Sequence, residues 1–249
     1  MALTTVLSVS VRPDRMTTYE AGIHRLAEKA TAKKDANEWR AHQVAMGPIG
    51  TIHFVSEAEN WSALANQGSP EELVRRVMGD SDGATLLEQL AGCIARERTI
   101  IGQARNDISC LPAATDAPKA ASVVTLFRAR PGGQDAVEEL IRKVAQAIPA
   151  VKDPRRFLAY QTVVGDLRTY WVVTPIESLA DLDTMMPPAE LLHRAFGAEG
   201  ALIHRTALDA IETMERQVTQ LRPELSHGAW VQAYMKRTAT RAAARPAAH

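Results

Sequence analysis

The spacing of apolar residues along the first part of the chain changes from the period of a strand to the period of a helix. Residues 4–11 are rich in β-branched and apolar residues, which is typical of a strand. Residues 17–34 carry apolar side chains at helical spacing. Thr17 and Glu20 stand three positions apart at the start of this run, so they predict a capping box.

Two short β-rich runs follow and are separated by a turn sequence. The runs 38–46 and 51–56 flank a Gly-Pro-Ile-Gly segment at 47–50, and this combination predicts a β-hairpin. The remaining elements predicted from this stretch are helices over 58–66, 70–78 and 83–97 and a last strand over 99–105.

The same succession of patterns occurs a second time. Residues 6–109 align with residues 124–227 at a constant offset of 118, and 24 of the 104 aligned positions are identical. Unrelated stretches of ordinary composition share roughly 6–7% identity. A period of this length indicates one small domain present twice. The predicted organisation is a first repeat over 1–109, a linker over 110–121, a second repeat over 122–230 and a C-terminal tail over 231–249.

The second copy repeats the local signals of the first. Asp135 and Glu138 take the capping-box positions, and strands are predicted over 156–164, 169–174 and 217–222. Near the end of each copy the match is better at an offset of 117, which indicates a one-residue slip. There Gln103-x-Arg105-x-Asp107-Ile108-Ser109 aligns with Gln220-x-Arg222-x-Glu224-Leu225-Ser226.

Each copy has the predicted order β-α-β-β-α-β, which is the order of a ferredoxin-like unit with helices on one face of a four-stranded sheet. The other face is bare and must be covered. Two copies in one chain can cover each other by packing sheet against sheet. We therefore predict an α+β fold, in which two tandem ferredoxin-like domains form an intrachain pseudo-dimeric α/β barrel.

A resemblance to a known superfamily rests on the hairpin and the segment after it in the second copy. The run Tyr-Gln-Thr-Val-Val-Gly at 160–165 and the run Thr-Tyr-Trp-Val-Val-Thr-Pro at 169–175 resemble this region in uncharacterised members of the dimeric α/β barrel superfamily. The chain is similar, more loosely, to NIPSNAP-like and antibiotic-biosynthesis-monooxygenase-like proteins. The resemblance implies a fold and a cavity. Because the superfamily holds cofactor-free monooxygenases, haem enzymes, cyclases and proteins without known activity, it implies no single reaction.

Composition narrows the classes of partner. The chain carries 29 basic and 29 acidic residues, so no overall charge favours nucleic acid. No apolar run reaches 18 residues, so no membrane span is expected. Cys93 and Cys110 have no cysteine counterparts in the second copy, which fits a cytoplasmic protein without structural disulfides. Homodimerisation is a further expectation, since exposed sheet edges invite pairing.

Strand alternation sorts the hairpin residues into two faces. If 47–50 is the loop, Met46 pairs with Thr51 and His42 with Val55. The more apolar face is assigned to the helices. It carries Leu7, Val9, Val11, Trp39, Ala41, Gln43, Ala45, Ile52 and Phe54 in the first copy, and Phe157, Ala159, Gln161, Val163, Tyr170 and Val172 in the second.

The opposite face is expected to line the inter-sheet cavity, and its residues differ chemically between the copies. Such divergence is expected if two halves of one cavity bind an asymmetric ligand, and it is also expected from drift at tolerant positions. The candidate positions are Ser8, Ser10, His42 and His53 in the first copy and Arg128, Tyr160 and Trp171 in the second.

The two histidines are the candidate catalytic groups. Imidazole titrates near neutral pH, so His42 or His53 suits a general base, and either suits the axial position of a haem. A hydrogen-bonded histidine within a sheet is the alternative. No carboxylate joins them on that face, so a metal site is not expected.

The remaining candidates suit an aromatic ligand. Tyr160 and Trp171 offer stacking and a phenol hydrogen bond, and Arg128 offers a contact to an anionic oxygen as a third catalytic group. Ser10 is a further substrate contact. The alternative is that the aromatic rings only fill the core between the sheets.

Three functions follow from these residues. The first is a cofactor-independent monooxygenase or cyclase that acts on an aromatic or polyketide-like small molecule. The second is a non-catalytic ligand-binding or stress-associated module, and the third is a haem-binding protein. Glycine-rich phosphate loops, a Gly-x-Ser-x-Gly motif and basic–aromatic interleaving do not occur, which argues against nucleotide cofactors, serine hydrolases and nucleic-acid binding.

Other shared positions are interpreted as framework. Gln43 and Gln161 are expected to be hydrogen-bonded structural residues. The tail from about residue 236 is expected to be frayed or, as the alternative, to contact an anionic partner. Further expectations are that Arg12 and Arg130 meet Glu20 and Glu138 or solvent, and that Glu97-Arg98 and Glu215-Arg216 close helix ends.

Overall fold

The computed structural model describes residues 2–111 and 118–243, and side chains as far as residue 238. The first half of the chain has the predicted order of strands and helices. Its elements are β1 (Leu3–Val11), α1 (Met16–Lys33), β2 (Arg40–Met46), β3 (Thr51–Ala58), α2 (Trp61–Gln67), α3 (Pro70–Met78), α4 (Asp80–Ala91) and β4 (Ile94–Ala104).

The second half follows the same order, with two helical segments joined at a kink at Gly197 in place of α3 and α4. Its elements are β5 (Ala121–Ala129), α5 (Gln134–Ala150), β6 (Leu158–Val164), β7 (Thr169–Ile176), α6 (Pro188–Ala210), β8 (Ile211–Leu221) and α7 (Ala229–Ala243). Half of the predicted linker, residues 112–117, lies outside the described residues.

The strands pair in an antiparallel sheet with the order β1-β3-β2-β8-β5-β7-β6-β4, and this sheet is closed. The predicted α+β fold with its ferredoxin-like element order is confirmed. None of the described helices is both long and apolar enough to cross a membrane.

Contacts divide the described residues into two compact units. The first unit contains residues 2–44, 49–99 and the chain from Leu221 onward, and the second unit contains residues 45–48 and 100–220. The last residues of β4 therefore belong to the second unit although they come from the first sequence copy. In the same way, the segment after β8 belongs to the first unit although it comes from the second copy.

The core of the first unit lies between its helices and one face of β1, β2 and β3. Val9, Ala41 and Ile52 on these strands pack with Ile23 and Leu26 of α1. These strand residues belong to the face that alternation assigned to the helices, so that assignment is confirmed. Val74, Val77, Leu86 and Leu90 from α3 and α4 complete the core.

The core of the second unit is built in the same way. Ala129, Ala159 and Tyr170 on β5, β6 and β7 pack with Val137 and Ile141 of α5. The assigned helix face is confirmed here too. Burial of apolar side chains such as these supplies the main favourable free energy of folding, at roughly 25 cal/mol per Å².

The pairing of β2 with β3 differs from the expected register. His42 lies opposite His53 and Arg40 lies opposite Val55, so the register is shifted by two residues from the predicted pairing of His42 with Val55. The pairing of β2 with β3 ends at Gln43 and Ile52, so the loop between the paired residues is longer than the predicted loop at 47–50. This longer loop explains the shift. Because side chains alternate with a period of two, a shift of two residues leaves every side chain on its predicted face.

The predicted helix over 83–97 is too long. α4 ends at Ala91 and β4 begins at Ile94, so Glu97 and Arg98 lie in a strand and do not close a helix. The leucine spacing that predicted the helix stops at Leu90. Glu215-Arg216 likewise lie within β8.

The predicted capping boxes at the first helix of each copy are wrong. α1 begins after a 3₁₀ turn at Pro13–Arg15, and neither Arg15 nor Gly133 at the N-caps of α1 and α5 makes a side-chain capping bond. Glu20 and Glu138 have other partners, described below. The capping box that does form is Ser69 with Glu72, at the start of α3.

The C-terminal segment is helical as far as Ala243, and the rest of the tail that was expected to be frayed, residues 244–249, lies outside the described residues. α7 extends over Ala229–Ala243, and the Glu38 carboxylate accepts a hydrogen bond of 2.8 Å from the backbone amide of Ala229. Tyr234 is buried, and the Arg40 guanidinium lies 5.6 Å from the centre of the Trp230 ring. Packing of these aromatic rings fixes α7 against the rest of the first unit.

Candidate functional site

The face of the first unit opposite its helices carries a pair of histidines on adjacent strands. His42 on β2 and His53 on β3 lie directly opposite each other. Ser8 on β1 is the partner of His53 on its other side, and the Ser8 hydroxyl lies 2.8 Å from His53 Nδ1. Three neighbouring strands thus place one hydroxyl and two imidazoles in a row, because residues in register on adjacent strands share a face.

His42 is the more unusual of the two imidazoles. Burial of the ring, together with the nearby charges of Arg40 and His53, lowers the pKa of His42 to about 4. Its Nδ1 is buried and has no hydrogen-bond partner among the residues that the structure describes. At neutral pH the ring is therefore neutral and has one nitrogen available to a ligand.

Ser10 lies two residues further along the same face of β1. Its hydroxyl is 3.1 Å from the hydroxyl of Thr51, its partner on β3. This pair is a cross-strand contact of the ordinary kind, and it ties Ser10 to the sheet.

The corresponding face of the second unit carries a pair of aromatic rings at the same register. Tyr160 on β6 lies opposite Trp171 on β7, as His42 lies opposite His53. The two rings are stacked, with centroids 5.4 Å apart and planes at 19°. Trp171 is almost completely buried, and Tyr160 is half-buried.

A glycine on the neighbouring strand makes room for the indole. A Cβ atom added at Gly102 would lie 2.1 Å from Cη2 of Trp171, well inside van der Waals contact. The indole therefore lies against the bare backbone of β4. Gly102 and Tyr160 together hold Trp171 in one orientation.

Arg128 lies in a group of charged residues of the second unit. Its guanidinium is 2.5 Å from Asp166 and 3.1 Å from Glu212, and Arg168 also binds Glu212 at 3.0 Å. The hydrogen bond to the backbone amide of Arg168 and the adjacent guanidinium of Arg128 lower the pKa of Asp166. The carboxylates of Asp166 and Glu212 thus neutralise the positive charge of Arg128. The sequence analysis expected that charge to bind an anionic oxygen of a substrate.

Sequence reasoning missed a polar network on the helix face of the second unit. Arg105, just after β4, donates to Glu138 on α5 at 2.8 and 2.9 Å and to the Gln161 side chain at 2.9 Å. The Tyr170 hydroxyl donates to Glu138 at 2.8 Å. These bonds lower the pKa of Glu138, whereas burial and the adjacent carboxylate raise the pKa of Tyr170.

The first unit repeats this network with one difference. Arg222 donates to Glu20 at 2.9 Å and also to the side-chain oxygen of Gln43. Ile52 occupies the position that corresponds to Tyr170, so the first unit has no tyrosine hydroxyl there to bind the glutamate. The match of Arg105 with Arg222 at an offset of 117 was the signal that could have found both arginines. The prediction that Gln43 and Gln161 are hydrogen-bonded structural residues is confirmed.

The carboxylates expected as partners of Arg12 and Arg130 are wrong, whereas the alternative is confirmed, since both arginines are exposed to solvent. Arg12 donates to the backbone carbonyl of Gly92, and Arg130 donates to the backbone carbonyl of Asp209 at 3.0 Å. Each arginine thus binds a backbone carbonyl at the C-terminal end of a helix, α4 for Arg12 and α6 for Arg130. Glu20 and Glu138 are already held by the arginines that follow the last strands.

Each unit therefore brings together part of the predicted site. Histidines meet a serine in the first unit, and the aromatic rings meet each other in the second. That these two faces enclose one cavity stays a prediction. Over residues 2–111 and 118–243, no three histidine, cysteine or acidic side chains converge as metal ligands would.

Comparisons with known proteins give structural likenesses only. No family model matches the chain, and no curated protein matches it. An anthrone oxidase-like protein is similar over 89% of this chain and 91% of its own, with a TM-score of 0.58 and 12% identity. A "putative monooxygenase" from Fusobacterium nucleatum is similar over 88% and 92%, with a TM-score of 0.55 and 12% identity.

A third structure widens the range of activities that accompany this architecture. A mutant chlorite dismutase from Candidatus Nitrospira defluvii is similar over 94% of both chains, with a TM-score of 0.55 and 10% identity. At these identities a shared architecture carries no shared chemistry. The resemblance drawn from the residues is confirmed at the level of the fold, which this chain shares with these three structures.

Proposed function

We propose that the chain is a cofactor-independent oxygenase for an aromatic, polyketide-like small molecule. In this proposal Tyr160 and Trp171 bind the rings of the substrate, and His42 accepts a proton from it. The observation that carries the proposal is the buried Nδ1 of His42, which has no partner within the described residues. A buried polar atom without a partner costs free energy, so its retention favours a role toward a ligand.

The chemistry begins with loss of a proton. A substrate whose methylene group lies in the same ring as a carbonyl, between two aromatic rings, loses a proton from that methylene group readily and forms an electron-rich enolate. The neutral imidazole of His42 offers the lone pair on Nδ1, provided that Nε2 carries the ring proton. The enolate that forms beside the ring is negatively charged and stabilises the protonated imidazole. This stabilisation offsets the effect of burial, which lowers the pKa of His42.

The enolate then supplies the electrons itself, so the reaction needs oxygen and no further reductant. The methylene carbon loses two hydrogens and gains one oxygen atom from O₂ to become a carbonyl. The second oxygen atom leaves as water together with the two hydrogens. The overall change is R₂CH₂ + O₂ → R₂C=O + H₂O, in which carbon loses four electrons and O₂ gains four.

Three further residues have supporting roles in the proposal. The Ser8 hydroxyl, 2.8 Å from His53 Nδ1, holds the second imidazole in place beside His42. Arg128 and Ser10 remain candidate contacts for substrate oxygens, and Arg128 would first have to exchange Asp166 or Glu212 for the ligand. The names of the structural neighbours, which include an anthrone oxidase-like protein, suggest anthrone as the first probe.

Oxygen uptake with anthrone tests the proposal. We expect His42→Ala to lower kcat by about 10²–10⁴-fold, which is the usual contribution of a positioned base. His24→Ala is the matched control, since His24 lies exposed on α1 beside Glu28. Full activity of His42→Ala, or absence of turnover in the wild type, would contradict the proposal.

The haem alternative rests on the same nitrogen of His42. An unpartnered, buried imidazole fits the axial position, and His42 would hold the iron, which supplies redox chemistry when bound. A visible spectrum of the protein with added haem separates the two functions. A Soret band that His42→Ala abolishes would replace the oxygenase proposal. Binding of anthrone without turnover would favour the non-catalytic alternative.

A further inference from the structure

Thr162, like His42, carries a buried polar atom without a hydrogen-bond partner among the described residues. It lies on β6, two residues after Tyr160 and on the same face, directly opposite Gly102 on β4. Its side chain is 3% exposed, and its Oγ1 has no hydrogen-bond partner in the described part of the chain. A buried hydroxyl without a partner costs about 1–3 kcal/mol.

Packing does not require this hydroxyl. The counterpart of Thr162 in the first copy is Val44, which is also 3% exposed and has the same shape without the oxygen. The fold therefore accepts valine at this register, and the hydroxyl has another use or none.

The surroundings of Thr162 are those of an aromatic binding surface. Gly102, opposite Thr162, is the residue against which the Trp171 indole lies. Trp171 stacks on Tyr160, the neighbour of Thr162 on the same face. The β-branched side chain of Thr162 has few rotamers, so its hydroxyl has a fixed direction beside these rings.

We propose that the Thr162 hydroxyl is the polar contact of a planar aromatic ligand that carries a carbonyl or phenol oxygen. A hydroxyl is uncharged and both donates and accepts, so it suits either group. The ligand reaches it by displacing the ring of Tyr160, the half-buried member of the stack. This inference rests on the proposed function, because it assigns the oxygen contact of the same substrate.

Two ligands test the inference through the ratio of their dissociation constants rather than through enzymatic activity. Anthrone and 9,10-dihydroanthracene share one ring skeleton, and only anthrone carries a carbonyl. We expect the wild type to prefer anthrone, and Thr162→Val to reduce that preference about 3–10-fold, the worth of one neutral hydrogen bond. Dissociation constants are measured by quenching of tryptophan fluorescence under nitrogen, so that no turnover occurs.

Controls separate this contact from an effect on folding. Thr162→Val should bind dihydroanthracene as the wild type does and should unfold at the same temperature or higher, because it removes an unpartnered hydroxyl. Thr162→Ser keeps the oxygen and should keep the preference for anthrone. An unchanged preference in Thr162→Val, or a lost preference in Thr162→Ser with native stability, overturns the inference.

The outcomes also distinguish this inference from the proposed function. If Thr162→Val keeps the preference while His42→Ala loses turnover, the Thr162 contact is wrong and the oxygenase stands. If the preference depends on Thr162 but anthrone is never oxidised, the contact stands and the oxygenase is wrong. A wild type that binds neither ligand overturns both.

Discussion

The two units are nearly the same on one face of their strands and different on the other. On the helix face, Arg222 binds Glu20 in the first unit as Arg105 binds Glu138 in the second. On the opposite face, a histidine pair in the first unit stands at the register of an aromatic pair in the second. Since neighbouring residues of a strand point to opposite faces, one face can keep its packing while the other changes its chemistry.

The difference also shows what each pair requires from its neighbours. The aromatic pair depends on a glycine, because the indole of Trp171 occupies the space that a side chain at Gly102 would need. The histidine pair depends on a hydroxyl, because Ser8 binds His53. A change of chemistry on one strand has thus been accompanied by changes on the strands beside it.

The largest expected effect comes from filling the space beside Trp171. We expect Gly102→Ala to destabilise the fold by about 3 kcal/mol or more, because the new methyl group would overlap the indole. Urea denaturation followed by circular dichroism measures the loss. Trp171→His, which introduces the residue of the first copy, should restore most of it in the double variant. Equal losses with and without Trp171→His would contradict this account of Gly102.

A smaller loss of stability is expected when the glutamate of either arginine network is removed, and the loss should differ between the two networks. Glu138→Ala removes a carboxylate that binds both Arg105 and Tyr170, whereas Glu20→Ala removes one that binds only Arg222. Each arginine keeps a second carboxylate, Asp107 in one network and Glu224 in the other. We expect a loss of about 2–3 kcal/mol in the first case and about 1–2 kcal/mol in the second, from urea midpoints at constant m-value.

Tyr170→Phe is the control for this comparison. In the Tyr170→Phe background, Glu138→Ala should cost about as much as Glu20→Ala does in the wild type, because the extra hydrogen bond is already gone. If the two losses remain unequal there, Tyr170 does not account for the difference between the units.

The smallest expected effect is a dependence of stability on pH through His42. Its pKa is lowered to about 4 in the folded chain, against about 6.5 for an unfolded chain, so between these values the unfolded state binds the extra proton. Stability is therefore lost as pH falls from about 6.5 to about 4, by roughly 1–3 kcal/mol from this residue. His42→Gln should remove that part of the loss, and parallel stability curves for the two proteins would show the expectation to be wrong.

Much of the fold was predictable because it depends on local periods. The faces of β1, β2 and β3 followed from alternation alone, and they survived a register error of two residues. The extent of β4 was not predictable in this way, since the charged residues at 96–98 are equally typical of the end of a helix. The start of that strand is set by the turn at Gly92 and Cys93.

The candidate site was predictable in its parts but not in its partners. Alternation placed His42 and His53 on one face of the first hairpin, and Tyr160 and Trp171 on one face of the second, but it paired His42 with Val55 and not with His53. The carboxylates around Arg128 come from other elements, and the contact of Arg105 with Glu138 joins residues 33 positions apart. The hydroxyl of Thr162 became notable only once its lack of a partner was visible.

The origin of the two arginines bears on how such a chain arose. Arg222 belongs to the second copy and binds Glu20 of the first, and Arg105 belongs to the first copy and binds Glu138 of the second. A hypothetical ancestor with one copy could satisfy its glutamate in this manner only with the arginine of another molecule. Fusion of two genes would then have turned a contact between molecules into one within a polypeptide, and later divergence of the opposite faces required no change in these arginines.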